Sequence, residues 1–372
     1  MTSWFEKMIR DPCGKRDKTP QLFPSLPRPI ADDPLPYKAI HCALAMTAAL
    51  ISPPQAARRE PPRETTRHFL LALRLLRRDL GAAGNSPPRD SSVFVSTSLA
   101  LHANLRGSTG ESRVHLGGLR RILEVRPGGV AALCSGAPEV GNKVRRADVE
   151  LALAAGTRTL FGYQVSPRPE APYVCPGDHH ERRRLAVPHP VGEASPAVQF
   201  AMADVLTLCN YSGQAQLSAL HYQDLVLSIT QRLVDLAPLG GNRPSQPLDD
   251  LCQLGLLAFM STLLNEAGDR RRACSALISR LLRNRLDRDD IEIAYGRCPQ
   301  LQLWLLFIYA VWAPELKQYC DADSFVARRI RVLASFLALG TWEDVTAYLR
   351  LYPWVAEFHD EPGTKVWAAA CD

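Results

Sequence analysis

Prolines set the length of every element this chain can build. There are 29 of them in 372 residues, and they fall in groups such as Pro53-Pro54, Pro61-Pro62, Pro87-Pro88 and the set Pro238, Pro244 and Pro247. A proline fixes φ and carries no N–H, so it opens or stops an α-helix far better than it continues one. Between the groups, apolar residues recur at three- and four-residue spacing. Phe69, Leu73, Leu76 and Leu80 form such a stripe, with Arg74, Arg77 and Arg78 between them, which is the signature of an amphipathic helix. Strand-like alternation is nearly absent. The pattern predicts an all-α protein, a large array of about twelve helices.

The predicted helices run over about residues 38–51, 63–80, 90–105, 111–126, 145–155, 196–210, 215–237, 249–266, 269–286, 299–313, 321–338 and 342–351. Asp90 or Ser91, Asp249 and Asp321 are expected as N-caps, because a short polar side chain can accept from the unpaired N–H groups of the first turn. Residues 1–36 are rich in proline and charge and read as a disordered tail. Residues 157–195, with six prolines and the run Asp178-His179-His180-Glu181-Arg182, read as an exposed loop joining two helical lobes at about 37–156 and 196–356. Residues 357–372 read as a C-terminal tail.

A hydrophobic content of 46% with 22% charged residues is that of a folded globular chain. The net charge of +6 is mild, and most cations are arginines in scattered short groups: Arg77-Arg78, Arg120-Arg121, Arg145-Arg146, Arg182 to Arg184 and Arg270 to Arg272. These read as solvated helix faces and loops rather than a concentrated nucleic-acid footprint. The ten cysteines are never closer than 22 residues, so no C-x-x-C pair exists. That excludes a zinc ribbon, a zinc cluster and a thioredoxin-type motif. Cys42, Cys209 and Cys252 lie in apolar stretches and read as buried thiols of a reducing compartment. Met1 to Arg16 lacks the apolar segment of a secretory signal. The longest apolar runs, Ile40–Ile51 and Leu303–Ala313, fall short of the roughly 20 residues that cross a membrane. A soluble intracellular protein is the expectation.

Several stretches approach motifs of known chemistry. Gly136 to Val144 approaches a phosphate-binding loop, but it has one residue too many before Lys143, no Ser/Thr after it and no strand before it. Cys175, Asp178, His179 and His180 sit in the proline-rich stretch and read as solvated. Asp289-Asp290-Ile291-Glu292 resembles the acidic magnesium motif of helical terpene synthases, which makes an enzyme of that type the alternative reading. The same acids also suit the start of a helix. His115 stands alone on its helix and reads as structural. Trp304, Trp312, Trp342 and Trp354 have apolar neighbours and read as core rather than as a base-stacking platform. No catalytic, cofactor-binding or metal-binding residue is expected, and the chain reads as a non-enzyme.

Two blocks carry a family resemblance. The first runs through Phe94 to Asn104, then His115, Gly118, Leu119, Ile122, Leu123, Arg126, Gly128 and Gly129, then Arg146 and Asp148. The second is Cys252-Gln253-Leu254 opening an apolar helix, then Leu303-Trp304 and the segment from Trp342 to Trp354. In order and spacing they resemble the regulatory region of fungal-specific transcription factors, over about residues 38–356. Leu119, Ile122 and Leu123 would give their helix its apolar side, Gly128-Gly129 would let the chain reverse, and Arg146 and Asp148 would link the next helix to it through polar contacts. Complete members of that family carry a six-cysteine zinc cluster that binds DNA. Here Cys13 stands alone beside Lys15, Arg16 and Lys18, which argues against direct sequence-specific DNA binding. The resemblance implies a nuclear regulatory protein that acts through protein partners or a homodimer, or through a small effector held between helices. A variant of this reading is an interaction paralogue that has left transcription.

Overall fold

Helix follows helix through the whole of the described chain. The computed structural model describes residues 63–82, 87–162, 187–212, 219–264, 276–287, 298–312 and 324–371. Among these residues there are thirteen α-helices and no strand, as the periodicity predicts. They are α1 (Arg63–Ala82), α2 (Asp90–Leu105), α3 (Thr109–Glu124), α4 (Gly129–Gly136), α5 (Pro138–Ala155), α6 (Pro196–Ser212), α7 (Ala219–Leu236), α8 (Pro247–Leu264), α9 (Ala276–Leu286), α10 (Pro299–Trp312), α11 (Phe325–Phe336), α12 (Trp342–Leu349) and α13 (Ala356–Cys371). The expected tail at 1–36 and helix at 38–51 lie outside the described residues.

Proline places many of these boundaries. Pro138, Pro196, Pro247 and Pro299 each stand at the first helical position, where the missing N–H costs nothing. Thr341 and Asp344 close a reciprocal capping box on α12, and the Ser324 hydroxyl accepts from the Ala327 N–H at 3.1 Å to cap α11. Two expected caps sit elsewhere. Asp90 lies inside the first turn of α2, with Arg89 at the cap position. Asp249 lies inside the first turn of α8 and accepts from the Ser195 N–H at 2.8 Å. Asp321 lies outside the described residues.

The interior divides unevenly. A small core joins α2, α3, α4 and α5 through Val93, Ala100, Leu116, Leu119, Leu123, Leu133, Val140, Val144 and Leu151. A much larger one is assembled from α5 through α13. Helix α5 serves both: Val140, Val144 and Leu151 face the small core, and Val149, Ala152 and Leu153 face the large one. The halves pack together along α5, and residues 163–186 of the expected loop at 157–195 lie outside the described residues. Both described ends of that segment are built in: Asp148 accepts from the Leu160 and Phe161 N–H groups, and Val191 is fully buried.

Three elements differ from the sequence expectation. Gly128 and Gly129 take positive φ values of 72° and 54° and reverse the chain as expected, but α4 begins there at once. Helix α5 starts at Pro138 rather than near 145. Residues 356–371 form α13, with Val366, Trp367 and Ala370 in the large core, so the chain has no tail over that stretch. One described helix, α8, is long and apolar enough to cross a membrane. It is the buried centre of the large core.

Candidate functional site

The first family-like block builds the α2–α3 hairpin. Leu116, Leu119, Ile122 and Leu123 recur at helical spacing and form the buried stripe of α3, each large side chain contributing about 1.5–3 kcal/mol on burial. Arg126 ties the end of the hairpin to its beginning: it donates to the Pro88 carbonyl at 2.8 Å and to Asp90 at 2.5 Å. Gly128 must be glycine, since a Cβ there would lie 2.6 Å from the Ala132 Cβ as well as needing positive φ. Gly118 is different. It faces solvent, with nothing within 4 Å of where a Cβ would sit, and nothing in the structure explains a glycine there.

His115 is half-buried with its ring edge-on to Phe69, centroids 6.5 Å apart, and burial lowers its pKa. The same phenyl ring lies 5.1 Å from His102. Burial, then the charge of Arg106, brings His102 down to about 4, so this pair is held as neutral imidazoles packed on an aromatic ring.

Helix α5 then presents a polar face to α7. The Asn142 amide donates to the Leu220 carbonyl at 3.4 Å. The buried guanidinium of Arg145 donates to Asp224, and to the Ser228 hydroxyl at 2.6 Å. Farther along, the Thr159 N–H and hydroxyl donate to the two oxygens of Asp235 at 2.8 and 2.7 Å, and Gln231 donates to the Gly162 carbonyl. Asp148 accepts from the Leu160 and Phe161 N–H groups at 2.7 and 2.9 Å. Desolvation nevertheless raises its pKa to about 6, because burial outweighs those two bonds and Asp235 adds repulsion. Gly156 and Gly240 cross at backbone contact, with the Gly240 N–H donating to the Gly156 carbonyl at 2.8 Å.

This seam corrects the roles expected of the motif residues. Arg146 pairs with Glu150 one turn along its own helix, at 2.7 Å. Asp148 holds the exit of α5 rather than bridging to α3. The neighbouring Arg145, which the resemblance did not single out, makes a different link, from α5 to α7. A signal was present: Asp224, Ser228, Gln231 and Asp235 recur at four-, three- and four-residue spacing, a polar stripe along one side of the helix.

The second block is packing. Gly255 on α8 admits the Trp304 and Leu305 side chains of α10; a Cβ would stand 2.7 Å from the indole. Trp304 is fully buried, stacks on Tyr352 at 5.5 Å and donates its N–H to the Pro353 carbonyl at 2.9 Å. Trp354 is buried and donates to Asp360 at 2.7 Å, while Gly363 makes room for Trp342 and Trp354. Gln253 donates to the Leu233 and Ala237 carbonyls, and Asp250 sits between Arg243 and Arg285, each at 2.6 Å. Such a triad is strongly destabilised by loss of one partner.

The phosphate-loop-like stretch is helix. Gly141 donates to the Ala137 carbonyl inside the first turn of α5 and lies against Cys134, and the Lys143 ammonium sits 4.2 Å above the Phe94 ring. Its amides point along the helix, not at a ligand. Cys175, Asp178, His179, His180 and the acidic group Asp289, Asp290 and Glu292 lie outside the described residues. Among the described residues no three His, Cys, Asp or Glu side chains are grouped to hold a metal ion. A shallow surface depression of about 130 Å³ is lined by Gln302, Arg328, Arg329, Val332 and Leu333.

The chain matches no protein-family model, no curated protein and no solved structure.

Proposed function

We propose that this chain is a helical regulatory domain of the transcription-regulator type, working in the nucleus through protein contacts and without a zinc-cluster DNA-binding module of its own. One observation carries the reading. Helix α3, the centre of the family-like block, has two faces of opposite use. Leu116, Leu119 and Leu123 are buried, while Val114 and Val125 on the outside are 73% and 66% exposed and flank the unobstructed Gly118. Two valines beside a bare stretch of backbone form a surface on which another helix can approach closely, in a homodimer or with a protein partner. The polar side chains of the α5–α7 seam support the same reading, since they are taken up in bonds between helices and serve the scaffold.

The test is a tethered reporter. The full chain, fused to an unrelated DNA-binding module, should change reporter transcription. Val114→Asp with Val125→Asp should abolish the change without lowering the melting temperature. A folded, expressed fusion that leaves the reporter unaffected overturns the proposal. Gel shifts of the unfused chain should show no preference among DNA sites, and a strong preference would overturn the claim that the DNA module is missing.

A further inference from the structure

Three segments distant in sequence converge at the start of α10. Cys298 immediately precedes α10, its carbonyl accepting from the Gln302 N–H at 3.3 Å, so its thiol stands at the positive end of a helix of 14 residues. The Nδ1 of His189 faces the Cys298 sulfur at 3.6 Å. The other ring nitrogen, Nε2, faces the Glu193 carboxylate at 3.2 Å. Behind them the Tyr352 hydroxyl donates to the His189 carbonyl at 2.8 Å, fixing the backbone that carries the imidazole. Thiol, imidazole and carboxylate thus lie in line, in the order that activates a sulfur nucleophile. A carboxylate on Nε2–H sets the tautomer that leaves Nδ1 as the acceptor, and the acceptor stands next to the thiol.

Its polar neighbours distinguish this thiol from Cys252. Cys252 is fully buried in the large core, and desolvation pushes its thiol up to about 12, which makes it inert. Cys298 is only 3% exposed and borders the same core, but the imidazole beside its sulfur is on the surface: the His189 and Glu193 side chains are 68% and 71% exposed. The imidazole is therefore the part of the group that meets solvent.

We propose that Cys298 is a peroxide-reactive thiol, with His189 as its base and Glu193 as the residue that positions the imidazole. The Cys298 proton passes to His189 Nδ1. A sulfur lone pair attacks one oxygen of hydrogen peroxide, the S–O bond forms and the O–O bond breaks. The departing hydroxide takes the proton from the imidazolium and leaves as water. Sulfur is oxidised by two electrons to the sulfenic acid and the peroxide is reduced. The step does not depend on the regulatory reading given above.

The experiment uses the purified full chain, reduced and then exposed to hydrogen peroxide with dimedone, a trap for sulfenic acids. Labelled peptides are counted against time and pH. Cys298 should label about tenfold faster than exposed Cys371 and faster still than Cys252. His189→Gln should slow Cys298 about tenfold at pH 7 and flatten its pH profile, leaving Cys371 unchanged. Glu193→Gln should slow it a few-fold. Labelling of Cys298 no faster than Cys371 overturns the proposal, as does an unchanged Cys298 rate and pH profile in a folded His189→Gln chain. If His189→Gln lowers the helical content, Glu193→Gln on the exposed turn decides, and an unchanged rate there overturns the proposal equally.

Discussion

Two buried helices solve the same problem with opposite chemistry. Helix α8, in the large core, keeps its polar residues to its two ends, Asp249, Asp250 and Gln253 at the start and Ser261 and Thr262 at the finish, all with partners, and is apolar from Leu254 to Met260. Helix α2, at the centre of the smaller half, is buried almost all round while carrying Ser92, Ser96, Thr97, Ser98, His102 and Asn104. Thr97 and Ser98 return their hydroxyls to carbonyls one turn back, at 2.8 and 2.9 Å, which satisfies them but competes with the helix itself. The Asn104 amide and the Ser112 hydroxyl are buried with no hydrogen-bond partner, each a cost of roughly 1–3 kcal/mol. The halves therefore differ in reserve. The large one is held by apolar packing and paired charges, and the small one is expected to open first.

The strongest way to break that comparison is Trp304→Ala. It removes a fully buried indole, its stacking on Tyr352 and its bond to Pro353, at a cost of about 4 kcal/mol. Chemical denaturation should show the whole chain destabilised, since α10 packs against α8, α9, α11, α12 and α13. A loss below about 1.5 kcal/mol would show that the large core is not the keystone.

Next in size is Leu119→Asp, which places an unpaired charge in the small core. The intrinsic cost exceeds that of a cavity, but local opening of α2 and α3 lets the carboxylate reach water and caps the loss at about 3 kcal/mol. Limited proteolysis should therefore cut within residues 87–129 while the rest of the chain resists. Cleavage spread evenly over both halves would erase the distinction, and an unchanged melting temperature would show that this face of α3 is not core.

Acid sharpens the contrast, because two groups act with opposite sign in one window. His102 has a folded pKa of about 4 against an ordinary 6.5. The folded state binds fewer protons, so its contribution is intact above pH 6.5 and is lost as the pH falls toward 4, about 2 kcal/mol by pH 5. Asp148 is raised from 3.8 to about 6, so the folded state binds more protons and gains stability as the pH falls through 6. Wild type should lose stability between pH 7 and pH 5, first in the small half. His102→Leu should reverse the slope. Thermal melts at the two pH values decide, and a His102→Leu chain that still weakens in acid would show that this imidazole is not the sensor.

What was legible in the sequence follows the same divide. Amphipathic or uniformly apolar stretches with a proline at or just before the start, such as α1, α6, α8 and α10, fall within a few residues of their expected bounds. The elements that were missed break a local rule for a tertiary reason. Helix α13 contains Pro362 and Gly363, which read as a tail, yet Gly363 is what lets Trp342 and Trp354 pack. Gly141 looked like part of a loop because its role, contact with Cys134, is not local. Cys298, His189 and Glu193 could not be found as a group, since the first two are 109 residues apart and no short-range spacing announces them. Periodicity points Leu119 into the core and apolar neighbours do the same for Trp304, whereas the link of α5 to α7 is made by Arg145, one position before Arg146, where helical phase turns a side chain from the rim to the seam.

That one-residue difference leads to the smallest effects. Arg120–Glu124 and Arg146–Glu150 are both four-residue pairs on a helix, at 2.9 and 2.7 Å. The first pair is 56% and 58% exposed, the second 15% and 13%. Water and salt screen the exposed pair, and ordering two long side chains offsets most of its attraction, so Arg120→Ala should cost no more than about 0.5 kcal/mol and fade in high salt. The sheltered pair is screened less and leaves Glu150 partly desolvated when broken, so Arg146→Ala should cost about 1 kcal/mol and keep most of that in 0.5 M salt. Melts of the two variants at low and high salt test this. If both lose the same amount with the same salt dependence, burial at the outer edge of α5 does not set the strength of its charges, and the grading of the molecule from seam to surface fails at its shallowest step.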